Sequence, residues 1–175
     1  MIGVIILTFQ SDDVIEDCLS SLHASEHGEL RVVVCDNNSN DQTVPCIRKW
    51  AAANNVDFVE VLAQDEAAPA SPASLTLIHT GANLGFAGGV NIGLAYLVKD
   101  PLVKLFWILN PDTEVAPQTA AEFERCAERV GSFSLMGSRI QYREEPCLIQ
   151  SDGGTVNWLT GICTNNNQGE RPEDA

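Results

Sequence analysis

The stretch from Lys104 to Glu114, KLFWILNPDTE, contains an apolar run that ends abruptly at an amide, a proline and two acidic side chains. Such a run predicts a buried strand that ends at Asn110 and places Asp112 on the loop at its carboxyl end. In an open parallel sheet, ligands bind outside the carboxyl ends of the strands. Asp112 is therefore a candidate carboxylate for a metal or phosphate site.

The same four residues, Asn-Pro-Asp-Thr, are also typical of a tight turn. In that interpretation Asp112 would instead cap the helix that Pro117 is expected to open. Taken alone, the motif favours the turn. The choice between the two interpretations depends on the polar residues elsewhere in the chain.

Length and composition limit the classes of protein to which the chain can belong. With 175 residues, 45% of them hydrophobic, we expect one compact domain with a sizeable core. The 10 Lys+Arg against 24 Asp+Glu give a net charge of −14. Nucleic acid is an unsuitable partner, because its binding needs clustered Lys and Arg. An acidic protein can still bind an anionic nucleotide through a divalent cation held by carboxylates.

The cysteines and the apolar segments indicate the cellular compartment. Six cysteines without a CxxC pair, several at apolar positions, predict buried free thiols in a reducing cytoplasm. The first residues, MIGVIILTFQSDD, lack a basic leader and a cleavage site, which predicts a first strand and no signal peptide. No segment approaches the ~20 apolar residues that span a membrane. We therefore expect a cytoplasmic protein without a transmembrane segment.

Strand and helix patterns alternate along the chain, which predicts an α/β fold with a mostly parallel sheet. The predicted strands are residues 2–7, 31–35, 56–62, 75–79, 104–109 and 134–142. The predicted helices cover residues 14–22, 44–51, 90–97 and 117–130, with residues 11–13 capping the first and Gly131 ending the last. The tryptophans are expected to pack in the core: Trp50, Trp107 and Trp158.

Two segments show no periodic pattern. Residues 63–74, rich in Ala, Pro and Ser, predict a surface excursion. Residues 161–175 have almost nothing to bury, which predicts a disordered polar tail or the cut end of a longer chain.

Polar residues follow three predicted strands: Thr8 the first, Asp36-Asn37 the second, and Asn110 to Asp112 a later one. In a doubly wound sheet these loops open on the same edge. A hydroxyl and a carboxylate can hydrogen-bond a base or ribose, and Asp112 can offer hard oxygen ligands to Mg²⁺ or Mn²⁺ carrying a diphosphate. A helix cap is an equally good interpretation of Asp36.

The segment from Asn83 to Gly93 adds a surface suited to phosphate. Gly85 and the two glycines at 88 and 89 allow close backbone approach, and the following helix presents free N–H groups. Asn91 is expected to point inward, where a ligand could satisfy its amide. The spacing matches neither GxGxxG nor GxxxxGK, so neither dinucleotide binding nor a P-loop is predicted. An ordinary strand-to-helix turn explains these residues equally well.

Four strings, ILTFQS, VVCDNNSNDQT, NLGFAGGVNIG and ILNPDTEVAP, stand in this order at predicted strand ends. Together they resemble the nucleotide-sugar half of family 2 glycosyltransferases, most closely the bacterial rhamnosyltransferase-like branch. Each string is weak alone, but the ordered set is specific. The resemblance implies the GT-A fold, a Rossmann-like three-layer α/β/α sandwich.

The resemblance implies a donor site for a dTDP- or UDP-sugar, with inverting transfer to a glycan or lipid-linked acceptor in cell-wall or polysaccharide biosynthesis. Such a protein would work in the cytoplasm, at the inner face of the membrane. By position, Thr8 and Asp36 would contact the base and ribose, with Asn37 beside them. Near the diphosphate, the donor site would be lined by Asn83, Gly85 and Asn91.

Asn110-Pro111-Asp112 occupies the place of the family's DxD motif. The resemblance implies that Asp112 binds Mg²⁺ or Mn²⁺, while Asn110 replaces the first Asp of the motif. The family's general base lies in the acceptor half, so we expect it beyond residue 175. Residues 1–160 would then be a donor-binding domain truncated before the acceptor half, followed by the polar tail 161–175.

Two other functions are compatible with the sequence. A non-catalytic nucleotide-sugar binding module would explain the missing base directly. A nucleotidyltransferase shares the sheet architecture but carries a basic, Gly-rich segment after its first strand, where this chain has Thr8-Phe9-Gln10-Ser11-Asp12-Asp13. We therefore rank it last.

Overall fold

The predicted parallel sheet is present in the computed structural model, which describes residues 1–26, 29–64 and 73–175. Instead of the single domain expected from the length, the chain divides into two compact units, Met1–Arg125 and Cys126–Ala175. The sheet belongs to the first unit. The donor-domain boundary at residue 160 stays a prediction.

The first unit holds a five-stranded sheet in which every paired strand is parallel. Its strands, in spatial order β3-β4-β2-β1-β5, are β1 Ile2–Thr8, β2 Leu30–Asp36, β3 Phe58–Leu62, β4 Leu75–His79 and β5 Leu105–Leu109. The helices that connect them are α1 Ile15–His23, α2 Thr43–Ala53 and α3 Gly85–Leu97, and α4 Thr119–Val130 follows β5.

Helices cover both faces of the sheet, because successive side chains of the central strands point to opposite sides. On one face, Val4 and Ile6 of β1 pack in a core with residues of α1, α2 and α4. On the other face, Ile5 of β1 and Val33 of β2 pack against Leu97 of α3. This arrangement confirms the predicted α/β class and its three layers.

β5 differs from the prediction of a buried strand. It is the last strand in the spatial order, so only β1 pairs with it among the described strands. Its side chains alternate between packed and open positions, and Phe106 and Ile108 are 42% and 46% exposed. The prediction failed because an apolar run does not reveal whether a strand lies in the centre or at the edge of a sheet.

The helix starts also differ in detail from the patterns. The carbonyl of Ser11 accepts hydrogen bonds from the N–H groups of Val14 and Ile15. The predicted side-chain cap of α1 by residues 11–13 is wrong, because no described side chain caps this helix. Helix α3 begins at Gly85, five residues earlier than predicted, because the glycines of its first turns gave no apolar pattern. The end of α4 is as predicted, since Gly131 follows it with φ +78°.

The second unit contains two small antiparallel pairs. Strand β6, Ile140–Gln141, pairs with β7, Ile149–Ser151, and β8, Gly154–Val156, pairs with β9, Cys163–Asn165. The strand predicted over residues 134–142 is reduced to β6, and β9 lies within the segment predicted to be a disordered tail. Trp158 is 94% exposed, so its predicted core position is wrong.

Several predictions concern single features of the chain. All six cysteines are free thiols; Cys18 and Cys35 are buried as predicted, whereas Cys147 and Cys163 are exposed. Within the described residues, no helix is long and apolar enough to cross a membrane. Of the predicted surface excursion, residues 65–72 lie outside the described residues.

Candidate functional site

The carboxyl ends of three strands meet at one edge of the sheet. Thr8, at the end of β1, is in register with Asp36 at the end of β2, and Ile6 is in register with Leu109 of β5. The residues that follow β5, from Asn110 to Asp112, therefore leave the sheet at the same edge. The parallel register brings the predicted strand-end residues together.

Asp36 is a buried carboxylate held by its own surroundings. It is 2% exposed, and its Oδ1 accepts a hydrogen bond from Thr8 Oγ1 at 3.2 Å. Its Oδ2 accepts one from the backbone N–H of Ser39 at 3.0 Å. The alternative role of Asp36 as the cap of α2 is wrong, because Asp41 Oδ1 accepts the N–H of Thr43 at the start of that helix. Asp36 instead shapes the loop after β2.

The backbone of residues 36 and 37 connects three strand ends. The N–H of Asn37 donates to the carbonyl of Thr8 at 2.9 Å. The carbonyl of Asp36 accepts from both the N–H and the Oγ1 of Thr80, at 3.1 and 2.9 Å. Sequence reasoning missed Thr80, although a polar residue directly after β4 carried the same signal as Thr8 after β1.

Gln10 joins the loop after β1 to the loop after β2. Its N–H donates to Ser39 Oγ at 3.0 Å, and its Nε2 donates to Asn40 Oδ1 at 2.9 Å. Both loops use left-handed backbone, with φ of 54° at Gln10 and 64° at Asn38. An Asn in this conformation is common, but a Gln gives no such signal in sequence. Gln10 was therefore missed.

The amino end of α3 is tied to the end of β2. Asn37 Nδ2 donates to the carbonyl of Gly85 at 3.1 Å and lies 3.4 Å from Asn83 Oδ1. Asn83 Oδ1 also accepts the N–H of Gly85 at 2.9 Å. Asn83 and Gly85 are exposed, and Gly85 has φ +69°. The start of α3 thus presents its backbone at the edge where β2 ends.

Gly89 packs against the sheet, which differs from the prediction that it approaches a ligand, whereas the same role for Gly88 stays a prediction. A Cβ on Gly89 would overlap Leu7 of β1, and a Cβ on Gly93 would lie 2.7 Å from Ile5 Cγ2. These glycines let the helix lie directly on the sheet. Asn91 is exposed, so the prediction that it points inward is also wrong.

The segment after β5 forms the predicted turn. The N–H of Thr113 donates to the carbonyl of Asn110 at 3.2 Å, which places Asp112 inside the turn. Asp112 is well separated from Thr119, where α4 begins, so it does not cap that helix. Asn110 and Asp112 are both exposed. The turn interpretation is confirmed, and it leaves the Asp112 carboxylate open to a ligand.

Helix α1 holds this turn from one side. Cys18 Sγ donates to the carbonyl of Asn110 at 3.8 Å, and Ser21 Oγ accepts the N–H of Val115 at 3.1 Å. Burial raises the pKa of the Cys18 thiol to about 12, and the negative charges of Asp112 and Glu114 contribute to the increase. The thiol therefore stays protonated and acts as a donor.

The described acidic side chains offer few ligands for a metal ion. Among the residues that the structure describes, no group of three or more His, Cys, Asp or Glu side chains could hold a metal ion. Asp112 offers one exposed carboxylate. Mg²⁺ is commonly held by one or two carboxylates, with substrate phosphates and water as the remaining ligands. The donor set therefore fits a cation that arrives with a diphosphate.

Comparison with known proteins agrees with this geometry. The model of the family described as glycosyl transferase family 2 matches residues 3–146. The chain belongs to glycosyl transferase family 2. Among characterised relatives of this family 2 chain is the low-salt glycan biosynthesis hexosyltransferase Agl10 of Haloferax volcanii, 22% identical over 143 residues. That match covers 82% of this chain and 38% of the relative.

Solved structures similar to this family 2 chain share its fold. The mannosyltransferase PcManGT from Pyrobaculum calidifontis, in complex with GDP-Man and Mn²⁺, is 21% identical with a TM-score of 0.59 and covers 82% of this chain and 36% of its own. S. aureus TarS 1-349 in complex with UDP is 17% identical with a TM-score of 0.55. That match covers 92% of this chain and 43% of the TarS chain. These similarities confirm the GT-A fold. The chain spans less than half the length of these relatives.

Proposed function

We propose that the chain is the donor-binding half of an inverting glycosyltransferase that transfers a sugar from a dTDP- or UDP-sugar to a glycan or lipid-linked acceptor. The observation that carries the proposal is the convergence of Thr8, Asp36, Asp112 and the amino end of α3 at one edge of the sheet. Family membership supports the reaction class. The nucleotide and nucleotide sugars bound by similar structures support the ligand class.

In this proposal, Thr8 and Asp36 form the floor beneath the base and ribose, since both are buried and hydrogen-bonded to each other. The exposed residues Asn83 and Gly85 lie at the start of α3, where free N–H groups and the positive end of the helix favour a diphosphate. Asn91, also exposed, lies further along the same helix, between Gly89 and Gly93, and would line the donor site from there. The protein would thus bind the neutral nucleoside on the strand ends and the charged groups at a helix terminus.

The Asp112 carboxylate, with Asn110 beside it, would hold Mg²⁺ or Mn²⁺. Such a cation neutralises the charge that develops on the leaving diphosphate. A carboxylate that removes the proton from the acceptor hydroxyl is also required. We propose that the acceptor half, beyond residue 175, supplies it, and that the protein works in the cytoplasm at the inner face of the membrane.

Calorimetric titration with UDP and dTDP, each with and without Mn²⁺, tests the proposal. We expect Mn²⁺ to tighten binding by about tenfold or more in the native protein and to have little effect in Asp112→Ala. Asp57→Ala is the matched control, because Asp57 is an exposed aspartate just before β3. It lies at the amino end of that strand, and β3 is the outer strand furthest from β5 in the sheet. Metal-independent binding by a folded native protein would contradict the role of Asp112, and no nucleotide binding would contradict the function.

A further inference from the structure

Asn37 is an asparagine side chain inside the molecule at the point where β1, β2 and α3 meet. It is 2% exposed. Its Nδ2 donates to the Gly85 carbonyl and lies within reach of Asn83 Oδ1. Its Oδ1 has no hydrogen-bond partner among the described residues. The amide is therefore paired on one side only.

The orientation of this amide follows from its neighbours. If the amide were reversed, its oxygen would face two other acceptors, the Gly85 carbonyl and Asn83 Oδ1. The observed orientation instead places Oδ1 beside Gly89, 3.0 Å from where a Cβ on that glycine would lie. Pairing the two N–H groups thus determines how the side chain sits.

An unpaired buried carbonyl oxygen is unfavourable for folding, and an apolar side chain of similar size would avoid that cost. The amide is consequently useful at this position through its N–H groups. Both of them point at the residues that begin α3. Neither N–H group points toward a nucleotide sugar bound from solvent, because the side chain is buried.

The residues on which Asn37 acts need an anchor. Asn83 and Gly85 are exposed, whereas Gly89 and Gly93, further along α3, are buried against the sheet. Sheet contacts therefore fix the middle of the helix but not its first turn. The hydrogen bond from Asn37 extends the fixed part to Gly85.

We propose that Asn37 is a positioning residue that holds the first turn of α3 in the geometry that receives the diphosphate, without itself contacting the donor. The inference rests on the proposed function and names how one part of that site is built. It replaces the role beside the base and ribose that the family resemblance implies for Asn37.

The test compares binding of UMP and UDP, which share the nucleoside and differ in the second phosphate. In Asn37→Asp, carboxylate oxygens replace the N–H donors and face two acceptors. We expect UDP binding to weaken by about tenfold and UMP binding by about twofold or less. Asn38→Asp is the matched control, since the neighbouring Asn38 is exposed and the added charge is the same. It should change both affinities little.

Equal weakening of UMP and UDP in Asn37→Asp would overturn the inference and indicate contact with the nucleoside or a general disruption. Affinities unchanged from the native protein would also overturn it. If the native protein binds neither UMP nor UDP, nor dTMP and dTDP, the proposed function has failed instead.

Hydrogen exchange of backbone amides tests the positioning role without a ligand. We expect faster exchange at residues 85–89 in Asn37→Asp, with unchanged exchange in β1 and β2. Asn37→Ser, whose side chain is too short to reach Gly85, serves if the aspartate variant does not fold, and it should show the same local increase. Native exchange rates at residues 85–89 in a folded variant would overturn the inference.

Discussion

Glu60 on β3 is the centre of a charged cluster at the side of the sheet. It accepts hydrogen bonds from Arg48 Nε and Nη2, both at 2.7 Å, and pairs with His79 Nε2 at 2.9 Å. The hydrogen bonds from Arg48, together with His79, lower the pKa of Glu60 to about 2 from an ordinary value of 4.5. The charged form of Glu60 therefore stabilises the fold.

We expect Glu60→Gln to lower the free energy of unfolding by about 1–3 kcal/mol at neutral pH. Because the pKa is depressed in the folded state, the stabilisation is complete above pH 4.5 and is lost as the pH falls toward 2. Urea denaturation of both proteins across this range measures the difference. Glu122→Gln, which breaks an exposed ion pair with Arg125, is the control and should cost about 0.5 kcal/mol or less. A difference that does not vary with pH would contradict the role of the Glu60 charge.

Gly89 is required by contact between α3 and the sheet. A Cβ at this position would overlap Leu7 and approach Asn37 Oδ1 to 3.0 Å. We expect Gly89→Ala to destabilise the protein by about 1–3 kcal/mol, despite the higher helix propensity of alanine. Thermal or urea unfolding measures the loss. Gly137→Ala is the control, because nothing lies within 4 Å of the added carbon. A stabilised Gly89→Ala would show that α3 can shift away from β1.

At the scale of residues, the sequence predicted which strand ends carry polar groups but not what those groups bind. Thr8, Asp36 and Asp112 were found because each follows an apolar run. The partners Ser39 and Thr80 depend on strand register and loop conformation, which leave no periodic signal. The burial of Asn37 was equally hidden, since a loop asparagine is ordinarily exposed.

At the scale of elements, α1 supports the turn that carries Asp112. Ser21 Oγ accepts the N–H of Val115, and the N–H of Glu26, just after the helix, donates to the carbonyl of Pro117 at 2.9 Å. We expect Ser21→Ala to reduce the effect of Mn²⁺ on UDP affinity about three- to fivefold, because the turn loses a hydrogen bond. Binding without metal should change little. Calorimetric titration measures both values.

Ser20→Ala is the matched control for this prediction. Ser20 neighbours Ser21 on α1, but its Oγ accepts the Trp50 Nε1–H at 2.8 Å and donates to the carbonyl of Glu16 at 2.7 Å, so these partners lie on α2 and α1 and not in the turn after β5. We expect this variant to lose stability while keeping the full effect of Mn²⁺. If Ser20→Ala and Ser21→Ala alter the metal effect equally, α1 acts through general stability and does not position the turn.

The predicted bounds of strands and helices were correct where the spacing of apolar residues and the length of the segment indicated the same element. The strand over residues 75–79 has the predicted bounds, because an apolar run between polar segments marked both of its ends. The start of α3 was placed too late, since Gly85 to Gly89 lack the apolar spacing of a helix. In the second unit, β6 spans only Ile140–Gln141, and strands this short contain too few residues to show alternation.

At the scale of the whole molecule, the net charge of −14 opposes the approach of an anionic nucleotide. Salt screens this repulsion, so we expect the affinity for UDP without metal to rise about two- to threefold between about 20 and about 200 mM NaCl. Uridine, which is uncharged, is the control and should bind equally at both salt concentrations. An affinity for UDP that falls with added salt would show that a local positive potential at the start of α3 outweighs the net charge.

The central position of β1 has a consequence for how the protein is made. Ile2 pairs with Leu30 on one side and with Leu105 on the other. A ribosome adding ~5–20 residues per second synthesises Leu105 roughly 4 to 15 s after Leu30. During that interval β1 can pair with β2 while its other edge stays open and apolar. The nascent chain therefore presents, for seconds, a surface of the kind that chaperones bind, and β5 closes it when it emerges.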